Sequence, residues 1–108
     1  MAKGVLVVES APVEGRDDEF NTWYDGTHIP QILEIPGFVA ARRFRVHGTQ
    51  TGVDGKPGYL AIYELEADDL SAPIAEMRTR SADGRLDRRS SAVRLDPPPV
   101  VTLYELLD

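Results

Sequence analysis

The chain has 108 residues, 42% of them hydrophobic, a formal net charge of −6 and no cysteine. That length fits one domain, residues 1–108, with a single core and no room for a separate cofactor domain. The acidic balance argues against general nucleic-acid binding, which needs a basic surface, and the lack of cysteine excludes disulfides, thiol catalysis and thiolate metal sites.

The opening MAKGVLVVES has one Lys followed by four apolar residues. A signal peptide needs a longer apolar run and a membrane span needs ~20 residues, so the expectation is a cytoplasmic protein that does not enter a membrane. Residues 4–10, GVLVVES, are rich in β-branched side chains and predict the first strand. Gly15, Asp17 and Asp18 then suit a helix start, with acids near its positive end. Phe20, Trp23, Tyr24 and Thr27 follow at helical spacing on one face. Gly26 weakens this helix and Pro30 lacks the amide proton to continue it, so the main helix is expected to end near Thr27. A short second turn should open at Pro30 and stop at Pro36-Gly37.

Residues 38–47 alternate and predict a second strand; residues 48–58, with four Gly and one Pro, predict a loop. YLAIYEL (59–65) predicts a third strand. Asp68 and Asp69 suit the start of a second helix, with Pro73 in its first turn and Leu70, Ile74, Met77 and Ser81 at helical spacing. Residues 82–99 have little periodicity and read as a long irregular connection, before a last strand at 100–107. The order βαββαβ predicts an α+β, ferredoxin-like plan: a four-stranded antiparallel sheet with two helices on one face.

The strands are apolar on both faces. Tyr59, Ala61, Tyr63 and Leu65 point one way on the third strand, and Leu60 and Ile62 the other. A solvated face should alternate to polar residues, and two helices cover only one side. A second copy packed sheet to sheet is the simplest cover, so a homodimer is expected.

The run FNTWYDGTHIPQILEIPGFVAARRFRV, followed by GYLAIYEL, resembles the dimeric α/β-barrel superfamily, and within it the EthD-like and related uncharacterised members. The likeness rests on an aromatic-rich first helix, a His near its end, Pro36-Gly37 before strand two and the Arg-aromatic-Arg run Arg43-Phe44-Arg45. It covers residues 4–66 well and the remainder by element order. The resemblance implies two ferredoxin-like subunits pairing their sheets into a barrel, with a ligand cavity between the sheet and helices of each. The superfamily includes muconolactone isomerases, polyketide cyclases, cofactor-independent quinol monooxygenases, haem-degrading enzymes and members with no known reaction, and the fold does not choose among them.

Asp17, Asn21, Tyr24 and His28 lie within about a quarter of the helix circumference at the ~100° step per residue, a polar edge beside the Phe20 and Trp23 stripe. At the rim of an apolar cavity, His28 could donate or accept a proton while Tyr24 orients a substrate oxygen. The structural reading is that His28 bonds the Gly26 carbonyl freed by Pro30, or a strand carbonyl, and holds the joint. Phe20 reads as core; Trp23 and Tyr24, whose polar tips want partners, suit core and cavity wall alike. Alternation sends Arg42 to one face of its strand with Phe38, Ala40 and Phe44, and Arg43 and Arg45 to the other. An Arg directed into the cavity would clamp a carboxylate; pairing with Glu64 or Glu105 is the structural alternative. Six Arg and two Asp between Arg78 and Arg94 read as a solvated loop, with a phosphate-binding rim or a lid as alternatives. With two His and no close pair of His ligands, neither metal nor cofactor is expected.

The reading is a small-molecule-binding, cofactor-independent enzyme acting by proton transfer on a hydrophobic oxygenated compound (aromatic, polyketide or terpenoid-like). His28 and Tyr24 are the catalytic candidates; Asn21, Trp23 and Arg42 are the substrate-binding ones. A non-catalytic accessory protein and a cofactor-independent monooxygenase are the competing readings.

Overall fold

The computed structural model describes residues 1–48, 57–87 and 90–107, so most of the predicted 48–58 loop, together with Arg88 and Arg89, lies outside the described residues. The elements are β1 (Ala2–Ser10), α1 (Asp17–Trp23), a π turn (Tyr24–His28), α2 (Ile29–Ile32), β2 (Phe38–Arg45), β3 (Tyr59–Ala67), α3 (Ser71–Ala82) and β4 (Val100–Glu105). The four strands form one sheet in the order β2-β3-β1-β4, every pairing antiparallel. The two crossovers, β1 to β2 and β3 to β4, each skip a strand and carry the helices. This is the ferredoxin-like α+β arrangement.

Register fixes the two faces. Leu6 stands opposite Tyr63 on one side and Leu103 on the other. Leu6 and Tyr63, with Phe38, Ala61 and Leu65, form the helix-facing core, where Phe20, Tyr24, Ile32 and Ile35 pack against them; Leu103 lies on the same face but is 41% exposed. Phe20 and Tyr63 are fully buried; removing each such side chain from water contributes roughly 1.5–3 kcal/mol before entropy is counted. The opposite face is left open: Val39, Phe44, Val100 and Tyr104 are each about half exposed.

The first helix does not end at Thr27. It runs on through the π turn into α2, and the Ile29 amide bonds the Tyr24 carbonyl five residues back. Widening the turn shifts the hydrogen-bond register just ahead of Pro30, so the residue without an amide proton is absorbed without a break. A second departure lies in β2. A bulge between Phe38 and Ala40 slips the register, so Phe38 faces the core with Ala41 and Arg43, whereas Ala40, Arg42 and Phe44 face the open side. Strict alternation had grouped Phe38 with Arg42.

Among its described residues the 83–99 connection is irregular and mostly exposed, but it is docked at Leu86, Ala92 and Val93 and does not stand free in solvent. Val13 N–H donates to the Ala92 carbonyl at 2.6 Å, Arg94 N–H donates to the Ala11 carbonyl at 2.8 Å, and the Arg16 guanidinium bonds the Ser91 carbonyl at 3.1 Å. Ala92 and Val93 are buried. A bridge between Pro12 and Val93 ties the segment to the β1–α1 junction. No helix among the described residues is long and apolar enough to cross a membrane.

Candidate ligand-binding site

A cavity of about 270 Å³ lies between the sheet and the helical layer. Its floor is Leu6, Val8, Tyr63 and Val101 from the sheet. One wall is Trp23, Tyr24, His28 and Ile32, and the other is Met77, Arg78 and Ser81 of α3. Leu86, Asp87, Val93 and Pro99 of the docked connection complete the lining. A larger hollow of about 620 Å³ lies on the open sheet face, lined by Lys3, Val5, Val39, Glu64 and Tyr104 among others. It is a shallow trough over a sheet surface. The smaller cavity lies between the sheet and the helices and gathers Trp23, Tyr24, His28 and Tyr63, which makes it the candidate site.

The π turn builds the cavity wall. In an α-helix residues five apart point roughly 140° from one another. The wider turn brings Trp23 and His28 onto one side, with ring centroids 4.6 Å apart and planes 20° from parallel. Tyr24 meets both rings edge-on, at 5.1 Å from Trp23 and 5.3 Å from His28. Three of the five sequence-predicted site residues, Trp23, Tyr24 and His28, are thus brought together in one cavity.

The other two lie elsewhere. Asn21 Oδ1 accepts a 2.8 Å hydrogen bond from Arg43 and does not line the cavity. Arg42 is exposed on the open face, in register with Ile62, and makes no ion pair among the described residues. Arg43 is the arginine that the bulge turns inward. Its guanidinium lies 4.5 Å from the centre of the Tyr24 ring and also faces Phe20 and Tyr59. It donates to Asp25 at 3.1 Å as well. Arg43 therefore braces Tyr24 from behind, holding the ring that forms the cavity wall.

In the sequence Tyr63 is only one residue of an apolar strand face, yet it carries an unusual polar group of the site. Its hydroxyl is sealed from solvent without a hydrogen-bond partner, as is Trp23 Nε1. Burial is the main cause of a pKa pushed far above the ordinary tyrosine value. The adjacent Tyr24 phenol adds to the shift and Arg43 opposes it. Tyr24 is close enough for that influence but does not give Tyr63 a hydrogen bond of good geometry. Tyr63 is accordingly a neutral phenol. Among the described residues no group of three or more His, Asp or Glu side chains is placed to hold a metal ion.

The crossed-over antiparallel sheet, the helices on one face and the cavity between them define the chain as a ferredoxin-like α+β protein. An EthD-family protein (ethyl tert-butyl ether D) from Bacillus halodurans C-125 superposes with a TM-score of 0.65 at 17% identity, over 99% of this chain and 100% of that one. A protein provisionally named a monooxygenase, from Shewanella loihica PV-4, gives 0.63 at 11% identity, over 100% and 98%. A dimeric ferredoxin-like protein of unknown function from Jannaschia sp. CCS1 gives 0.60 at 11% identity, over 96% and 99%. No protein-family profile matches the sequence, and no curated protein matches it either. At such identities the likeness is one of fold, and it extends over the whole chain, including the part after residue 66.

Proposed function

We propose that this chain is a cofactor-independent enzyme that binds a small hydrophobic oxygenated compound in the Trp23–Tyr24–His28 cavity and moves a proton on it. The observation that carries the reading is the stacked His28, whose imidazole is held against Trp23 at the edge of a mostly apolar cavity. A fixed imidazole beside an apolar ligand can take a carbon-bound proton next to a carbonyl. The C–H bonding pair becomes the new C=C bond, the carbonyl π pair moves onto oxygen to give an enolate, and the imidazolium then returns a proton to carbon. Tyr24, braced by Arg43, positions the ligand against His28.

The test is solvent deuterium exchange. With 1-indanone in D₂O, the native protein should accelerate exchange of the α-protons, followed by NMR, and His28→Gln should abolish that acceleration while still binding the ketone. Exchange unchanged in His28→Gln ends the proton-transfer role. Binding without any acceleration favours the accessory reading. Oxygen uptake on adding a quinol, with quinone as product, favours the monooxygenase reading, to which the name of the Shewanella structure lends some support.

The same reading includes a homodimer paired through the open sheet face. Val39, Phe44, Val100 and Tyr104 leave an apolar surface there, and one structural neighbour is itself described as dimeric. Sedimentation should give a dimer at micromolar concentration, and Tyr104→Asp should shift it toward monomer. A native chain that sediments as a monomer at that concentration removes the dimer.

A further inference from the structure

Two residues that line the cavity each carry a buried polar atom without a hydrogen-bond partner in the chain, Trp23 Nε1 and Tyr63 Oη. Buried polar atoms are nearly always hydrogen-bonded, because leaving one unpaired forfeits its contact with water and returns nothing. Finding two on side chains that line one small cavity, beside Leu6, Val8, Ile32 and Val93, is unusual. Both belong to side chains held firmly in place. Trp23 is pinned by its stack on His28 and its edge contact with Tyr24. Tyr63 is 2% exposed and fixed by an edge contact with Phe38 at 6.0 Å. Neither can easily rotate to find a partner within the chain.

Their chemistry is one-sided. An indole nitrogen donates and cannot accept. A phenol can do both, but one kept neutral by burial carries a proton available to donate. We infer that the ligand of this cavity presents a hydrogen-bond-accepting oxygen, a carbonyl or the enolate formed from it, to the Trp23 indole and Tyr63 hydroxyl donors. This deepens the proton-transfer reading and rests on it. Charge that develops on the carbonyl oxygen when His28 takes the α-proton meets two donors already desolvated and oriented, which is the electrostatic arrangement that lowers such barriers. A cavity of about 270 Å³ suits a ligand of one or two rings.

A matched pair of probes tests this: 1-indanone and indane, which share a ring system and differ in the carbonyl. Affinities are measured by calorimetry on the native chain, Tyr63→Phe and Trp23→Phe. The native protein should bind indanone roughly tenfold more tightly than indane, as one or two recovered hydrogen bonds predict. Each variant should cut that preference to about threefold or less. Tyr63→Phe keeps the ring and removes only the hydroxyl, whereas Trp23→Phe also exchanges the bicyclic indole for a smaller ring, so the indanone-to-indane ratio and not either absolute affinity is the readout; the thermal melt of each variant checks that folding is retained. Equal binding of the two compounds by the native protein, or a preference unaltered in both variants, overturns the donor pair while leaving the cavity as a ligand site. Failure of both compounds to bind overturns the cavity reading and this inference together.

Discussion

The indole of Trp23 lies flat against the imidazole of His28, centroids 4.6 Å apart, although the two residues are five positions apart in one continuous helix. Only the π turn between them makes this contact possible, and π turns tend to occur where a helix carries a site. Trp23 is the sole tryptophan, so its emission reports the stack directly. His28→Ala should redshift the emission as the indole gains water, and lower stability by about 1 kcal/mol in a denaturant titration. His28→Phe, which preserves a ring at that place, should restore most of both. Emission and stability unmoved by His28→Ala would mean the stack is incidental.

Arg43 shows which of two effects dominates behind the cavity. Its side chain is 13% exposed and faces three aromatic rings, but its ionic partner Asp25 is 67% exposed. An ion pair with so exposed a partner contributes little, about 0–1 kcal/mol, whereas a desolvated cation over an aromatic face contributes up to about 2 kcal/mol. Arg43→Lys should therefore destabilise by about 1–2 kcal/mol, since an ammonium cannot reproduce the planar fork shared with Asn21 and the rings. Asp25→Ala should cost less than about 0.5 kcal/mol. Equal losses from the two would place the ion pair first.

Gly37 closes the turn into β2 with φ of +101°, and a Cβ built there would stand 2.5 Å from Pro73 Cγ in α3. The helix is thus packed onto a glycine that is needed both for backbone conformation and for space. Gly37→Ala should destabilise by about 2–4 kcal/mol, combining left-handed strain with the clash. Adding Pro73→Ala should recover only part, because it relieves the contact and leaves the strain. Full recovery in a thermal or denaturant melt would assign the whole cost to packing.

Asp69, the residue before the Leu70 N-cap of α3, holds the helix start in a pH-sensitive way. Its carboxylate accepts from the Ser71 hydroxyl at 2.7 Å and the Ser71 amide at 2.9 Å. These bonds, the side-chain one first, hold its pKa below the usual carboxylate value. A pKa lower in the folded than in the unfolded state gives stability that is present in full above the unfolded value and is lost as pH falls through the folded one. Asp69→Ala should lower the melting temperature by a few degrees at pH 7, and the gap to the native chain should close in strong acid. A gap that persists unchanged in acid would show that the charge-assisted bonds are not its source.

Much of the architecture follows from local pattern. Strand positions with period two, Asp-rich helix starts and Pro36-Gly37 as a stop predict the βαββαβ order, and the alternation in β3 puts Tyr63 and Leu65 on one face without saying which face is the core. The helical spacing of Phe20, Trp23 and Tyr24 likewise predicts the face that covers the sheet. These are short-range features, set by backbone geometry and by which side chains avoid water.

What the sequence did not disclose depends on registers that no local rule sets. One bulged residue after Phe38 reverses the parity of the rest of β2, so Arg43 and not Arg42 is turned toward the aromatic cluster. The shift to five-residue bonding ahead of Pro30 stacks Trp23 on His28 and so separates His28 from Asn21, which stays in the regular helix and accepts from Arg43, splitting a polar edge that a regular helix would keep together. Residues 90–94, without periodicity, find their hydrogen bonds on the distant β1–α1 junction. By itself the sequence determined which residues prefer the interior and in what order the elements run. Tertiary structure alone decided which polar groups share the cavity, because a slip of one residue in a strand or a helical turn costs little locally and redirects every side chain beyond it.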